Sequence, residues 1–286
     1  MNAGGEGAGV RGLRERRAGR ATERPCRTGD VLPCHRGCEA NGEERHIFPQ
    51  TPAGEEMKRN DEVARLREEV SGNGLLKPGE GPELGMTLDQ YLVYHQTIHL
   101  KDCSWMGVLT VKNPIDMWIY QEIIWEVKPD VIVEIGTYVG GSTLYLAQVL
   151  EGLGNGIVVA IDNDRSVYAA AHPRIVTVTG ESSSSPVLKR VEELCRDKTV
   201  LVIHDGDHRC EQVLTDLRLY APLVSQGSYL IVEDGIVDQF QPGAGEGAFG
   251  DFSGGGPLAA TREFLRETDE FVVDASRERY ILTNNP

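Results

Sequence analysis

Three carboxylates and a histidine follow two short apolar runs. Residues 200–203 lead into His204-Asp205-Gly206-Asp207-His208, and residues 229–232 lead into Glu233-Asp234-Gly235. As neighbouring strands, roughly 4.8 Å apart, the two runs bring Asp205, Glu233 and Asp234 to one point. Carboxylates that close repel unless a positive group sits between them. A hard divalent cation with oxygen ligands, Mg²⁺ first, suits that place. Such an ion stabilises an alkoxide as a hydroxyl loses its proton and holds the oxygen in line for transfer. His208, three residues after Asp205, has an ordinary pKa of about 6.5 and suits the base that takes the proton. Asp205 and His208 are therefore the catalytic candidates, and Asp205, Glu233 and Asp234 the metal candidates. Asp207 reads as a helix cap, and His204 and His172 as structural residues.

A second cluster follows the apolar run 131–135. It reads Gly136-Thr137-Tyr138-Val139-Gly140-Gly141-Ser142, with Glu134 just before it and Asp162 at the end of the next apolar run. Glycines allow a tight turn and a ligand close to the backbone. A carboxylate at the place of Asp162 accepts two hydrogen bonds from a ribose diol. The spacing Gly-x-x-x-Gly-Gly is not the dinucleotide pattern, and no Gly-Lys-Ser/Thr follows, which excludes a P-loop. Glu134, Asp162 and an acidic chain suit a cationic nucleoside better than a phosphate. S-adenosylmethionine (SAM), a sulfonium, meets that description, and the two clusters together point to methyl transfer onto a hydroxyl. The plainer alternative is a closed strand–helix turn with Asp162 capping a loop.

The elements that must position these residues follow a strand–helix rhythm. Strands are expected at 131–135, 157–161, 174–179, 200–203 and 229–232, and helices at 142–150, 186–195, 210–220 and 257–265. A closing pair of strands is expected at 271–273 and 280–282. Asn113-Pro114-Ile115-Asp116 starts a helix, with Asn as cap and Pro in the first turn, that stops before Lys128-Pro129. Fully apolar strands alternating with helices predict an α/β fold of Rossmann-like, class I methyltransferase type. Its sheet is mostly parallel and seven-stranded, with an antiparallel edge strand and helices on both faces.

Residues 1–56 lack hydrophobic periodicity and are expected to be a disordered N-terminal extension. Residues 57–112 are expected to be an N-terminal helical segment, with a periodic stretch at 87–99, and residues 113–286 the catalytic domain. Met57 is a candidate start. The 286-residue chain has a formal net charge of -15, all of it outside the first 56 residues. A body this acidic repels phosphate backbones, so nucleic acid is not an expected partner. No apolar run is long enough to span a bilayer, and the first residues, Gly- and Arg-rich, do not resemble a secretory signal. The six cysteines show no paired spacing, so free thiols in the cytoplasm are expected.

Several segments resemble the cephalosporin hydroxylase/rhamnosyl O-methyltransferase family. They are Tyr120-Gln121-Glu122-Ile123-Ile124, Val133-Glu134-Ile135-Gly136-Thr137 with Gly140-Gly141-Ser142, and His172-Pro173-Arg174-Ile175. Asp205-Gly206-Asp207-His208, Val232-Glu233-Asp234-Gly235 and Leu282-Thr283-Asn284-Asn285-Pro286 complete the set. The chain also looks related to macrocin-type sugar O-methyltransferases and, more distantly, to catechol O-methyltransferase. The resemblance implies SAM against Gly136, Tyr138, Ser142 and Asp162, with Ser182 and Ser183 near the adenine. It implies metal ligands at Asp205, Glu233 and Asp234, a base at His208, and a homo-oligomer. The implied activity is Mg²⁺-dependent methylation of a hydroxyl on a rhamnose-like sugar, carried by a glycosylated natural product or glycolipid. Two rivals remain at this point. One is a metal-dependent hydroxylase, whose iron site would need a second histidine such as His204. The other is a non-catalytic SAM-binding subunit.

Overall fold

The computed structural model describes residues 103–239 and 254–278, and the backbone of 11–15. Strand β1 is Arg11–Glu15, and a hairpin of β2 (Ser104–Trp105) and β3 (Val108–Leu109) precedes helix α1 (Pro114–Val127). Then come β4 (Val131–Ile135), α2 (Gly141–Leu153), β5 (Ile157–Asp162), β6 (Ile175–Thr179) and α3 (Ser185–Cys195). β7 (Val200–His204), α4 (Cys210–Tyr220), β8 (Tyr229–Val232), α5 (Pro257–Glu267) and β9 (Phe271–Val273) follow.

Five strands run parallel in the order β6-β5-β4-β7-β8, as the apolar runs predict. Except for β5, whose connection to β6 is irregular, each is followed by a helix or helical turn, and strand residues alternate between two cores. Val131, Val133, Val202 and Leu230 face α3, α4 and α5. Ile132, Leu201, Ile203 and Tyr229 face α1 and α2. Ile119, Ile123 and Leu150 are wholly buried on that second side.

Beyond β8 the sheet departs from expectation. The expected closing strand at 280–282 lies outside the described residues. β9 pairs instead with β1, which also pairs with β8, antiparallel on both sides. Part of the stretch expected to be disordered is therefore a strand, and the antiparallel strand is one place in from the edge. The physical reason is that the outer side of β8 offers unpaired backbone groups, and backbone pairing does not require the apolar pattern that residues 1–56 lack.

The stretch expected to be helical up to residue 112 ends differently as well. Met106 and Gly107 both have positive φ, 49° and 81°, which suits the two-residue turn of a tight hairpin. Trp105 secures the hairpin: it donates from Nε1 to Gln148 Oε1 at 2.8 Å and meets Tyr145 edge-on at 4.9 Å. The expected stretch 87–99 lies outside the described residues.

Helix α1 begins and ends as its sequence predicts. Asn113 Oδ1 accepts from the Ile115 amide at 3.0 Å, and Lys128 closes the helix in the left-handed region. Near its end, the Arg277 guanidinium reaches Glu126 and also approaches Asp274 at 3.5 Å and Glu122 at 3.9 Å. Tyr229 donates to the same Asp274 at 2.6 Å.

Candidate active site

The tips of β4, β5, β7 and β8 end side by side, as ligand-binding tips do in this class of sheet. Strand pairing continues one residue past the strands: Asp205 N donates to Ile135 O at 2.8 Å and Glu233 N to His204 O at 3.0 Å. At Gly136, φ is +83° and a Cβ would lie 2.0 Å from the Asp205 carbonyl oxygen. Only glycine fits there, and its absence of a side chain lets the β4 and β7 tips close on each other.

Above these tips lies a cavity of about 730 Å³. Gly136, Tyr138, Ser142, Asp162 and Ser182 line one part of it, and Asp205, His208 and Asp234 another. The two clusters read from the sequence thus share one space.

In the first part, Asp162 Oδ2 accepts from the amides of Thr137 and Tyr138, both at 2.8 Å, and Oδ1 accepts from the Asp164 amide at 3.0 Å. The carboxylate therefore fastens the glycine turn. Oδ1 keeps a lone pair for one further donor. Behind the turn, Arg165 donates to Thr137 Oγ1 at 2.7 Å and to Ala160 O at 2.5 Å. Ser182 Oγ donates to Asp216, which His204 Nε2 also meets at 3.1 Å.

Three residues expected against the donor lie outside the cavity lining. Glu134 points into the protein and is 1% exposed. It accepts from Thr143 Oγ1 at 2.5 Å, and burial pushes its pKa up to about 7 against the pull of Ser142 and Thr143. Glu134 thus organises the first turn of α2. Gly140 is closed off by Tyr168 and Ala170, each 2.7 Å from where its Cβ would be. Ser183 lies past Ser182 toward α3, whose cap is Ser184.

In the second part the carboxylates do converge, but they meet a residue the sequence did not flag. The Lys112 ammonium bonds Asp205 Oδ2 and lies 2.5 Å from Glu233 Oε2, with its side chain 3% exposed. Burial alone would lower the Lys112 pKa; Asp205 and Glu233 outweigh it and hold the amine charged. Asp234, with φ of +58°, turns its carboxylate to His208 Nε2 at 2.6 Å, and Asp205 Oδ1 lies 3.6 Å from the same nitrogen. Burial opposes the charge on His208, yet Asp234 and Asp205 raise its pKa to about 10.

These side chains fit a divalent cation. Asp205, His208 and Asp234 each offer a ligand atom within 4.8 Å of the others. Glu233 Oε1 is buried without a hydrogen-bond partner, an acceptor suited to a cation. A two-histidine iron site does not form among the described residues, because His204 is 2% exposed and its ring is engaged by Asp216.

The family description that matches this chain, over residues 97–286, is rhamnosyl O-methyltransferase/CmcI. The chain belongs to that family. The rhamnosyl O-methyltransferase of Mycobacterium leprae (strain TN) is 31% identical over 182 residues, covering 62% of this chain and 76% of the relative. That of Mycobacterium tuberculosis (strain ATCC 25618 / H37Rv) is 30% identical, covering 54% and 67%. A solved structure of CmcI with Mg and SAM is 22% identical with a TM-score of 0.42, over 56% of this chain and 64% of its own. MycE methyltransferase with Mg, SAH and mycinamycin VI is 21% identical with a TM-score of 0.38, over 58% and 44%. This chain spans less than two thirds of either solved chain.

As a rhamnosyl O-methyltransferase/CmcI family member, the chain has a class I methyltransferase fold. Lys112 stands immediately before the Asn113-Pro114 helix start. That position, a cation fixed by a helix cap, was the one signal in the sequence that could have drawn attention to it.

Proposed function

We propose that this family member transfers the methyl group of SAM to a hydroxyl of a rhamnose-like sugar on a small glycosylated acceptor, with Mg²⁺ as the metal. The carrying observation is the single cavity that joins the Asp162-fastened glycine turn to the Asp205–His208–Asp234 cluster. The naming of curated relatives as rhamnosyl O-methyltransferases supports the choice of acceptor.

Tyr138, Ser142, Asp162 and Ser182 hold the donor in this scheme, with the Asp162 carboxylate available to a ribose hydroxyl. Asp205, Glu233 and Asp234 would hold the cation, which would supply the positive charge that favours loss of the acceptor hydroxyl's proton. With Asp205 and Asp234 engaged by a cation, His208 loses the charges that keep it protonated and becomes able to accept the hydroxyl proton.

The enzyme is proposed to work in the cytoplasm as a homo-oligomer. Cys195 and Cys210 are free thiols, and among the described residues no helix is long and apolar enough to cross a membrane. Trp118 and Trp125, on one face of α1 and 60% and 64% exposed, offer apolar surface for a partner copy.

Methyl-labelled SAM, incubated with rhamnosyl glycolipids in Mg²⁺ or in chelator, tests the function. Labelled sugar only in the Mg²⁺ arm is the expected result. No binding of SAM in calorimetry would end this reading, and SAM binding without transfer to any sugar would favour a non-catalytic subunit.

A further inference from the structure

Lys112 comes from the segment between the β2–β3 hairpin and α1, 93 residues away from the Asp205 that it contacts. Its buried ammonium touches Asp205 and Glu233, two of the three carboxylates assigned to the cation. We propose that Lys112 is the resident counter-ion of the metal site, and that a divalent cation binds by displacing its ammonium from at least one of these carboxylates. This rests on the metal site proposed above and adds a competitor to it.

The electrostatics require some such group. Asp205, Glu233 and Asp234 bring three carboxyl groups together in a partly buried place, and His208 sits against Asp234 and Asp205. Removing the only partner of a buried carboxylate is strongly destabilising. Lys112 supplies the neutralising charge for Glu233 and shares Asp205 with His208. The same charge repels an arriving divalent ion, and a buried site screens that repulsion poorly. Glu233 shows the arrangement in one side chain: Oε2 is held by Lys112, while Oε1 is buried without a hydrogen-bond partner.

The tether also reaches the cavity wall. Leu109, Thr110 and Val111 line the cavity and lead directly into Lys112. Val111 has φ of +47°, a strained conformation for a β-branched residue.

The test is calorimetric titration of Mg²⁺ into the wild-type chain and into Lys112→Met, at fixed ionic strength, together with thermal unfolding of both without metal. The variant should bind Mg²⁺ roughly tenfold or more tightly. Its metal-free form should melt lower and regain stability when Mg²⁺ is added. Binding by the variant alone also supports the proposal. Equal or weaker binding by the variant overturns it and leaves the metal site standing. Binding by neither protein removes the metal site and the proposal together. If the variant does not fold, the ¹⁵Nζ signal of Lys112 in the wild-type chain, assigned by its absence from Lys112→Arg, decides. It should shift as Mg²⁺ saturates the site, and an unmoved signal during calorimetrically proven binding overturns the proposal.

Discussion

Gly136 and Asp205 touch through their backbones: a Cβ on Gly136 would sit 2.0 Å from the Asp205 carbonyl oxygen. The donor half and the acidic half of the cavity meet at this contact. Gly136→Ala combines that clash with a φ of +83°. It should cost about 2–4 kcal/mol of stability, seen as a lower Tm, and should weaken SAM and Mg²⁺ binding together. A variant with wild-type Tm and affinities would show that the two strand tips do not depend on their close approach.

Asp162 is the next sensitive point. Its carboxylate accepts from the amides of Thr137, Tyr138 and Asp164. Asp162→Asn replaces one acceptor oxygen by a donor and leaves at least one of those amides facing it. SAM affinity should fall by roughly 10- to 100-fold, the equivalent of about 1–3 kcal/mol, while Mg²⁺ affinity changes little. Calorimetry with each ligand separately checks this.

Asp205 and His208 should separate binding from chemistry. Asp205→Ala is expected to abolish metal-dependent transfer and keep most of the SAM affinity, because the Asp162-fastened turn remains. His208→Ala should lower kcat by roughly 10²- to 10⁴-fold, the usual range for a general base. A kinetically silent His208→Ala would remove His208 from the proton transfer.

Glu134 should make stability depend on pH. Burial raises its pKa from 4.5 to about 7, so the folded chain holds this proton more tightly than the unfolded chain. The contribution is complete below pH 4.5 and is lost as pH rises through about 7. Glu134→Gln stays neutral throughout. Between about pH 5 and pH 8 its Tm should decline less than that of the wild-type chain. Parallel Tm curves for the two proteins would show that Glu134 does not carry this proton.

The sequence made the main sheet legible because parallel strands buried on both faces are unbroken apolar runs, and Val131–Ile135 and Val200–His204 are such runs. It also made the convergence of Asp205, Glu233 and Asp234 legible, since residues just past neighbouring strands must lie close, with His208 beside Asp205 and Asp234. The same burial on both faces hid the direction of Glu134, because an all-apolar strand has no alternation to tell which way its one carboxylate points. Gly140 read as a ligand approach and is a packing contact with Tyr168 and Ala170. Lys112 escaped because it reaches the site from the segment between the β2–β3 hairpin and α1, outside the strand–helix rhythm. Arg11–Glu15 escaped because its pairing with β8 and β9 is made through the backbone, which leaves no apolar pattern in the sequence.

The guanidinium of Arg277 has a bearing on how that hairpin can move. By gripping Glu126, and lying 3.9 Å from Glu122 and 3.5 Å from Asp274, it clamps the far end of α1 to the last described turn of the chain. A helix anchored in this way cannot act as a hinged arm over the cavity. Any travel of the Lys112 ammonium therefore falls to the segment ahead of the helix, and the sheet and both cores serve as a stationary frame for that short excursion.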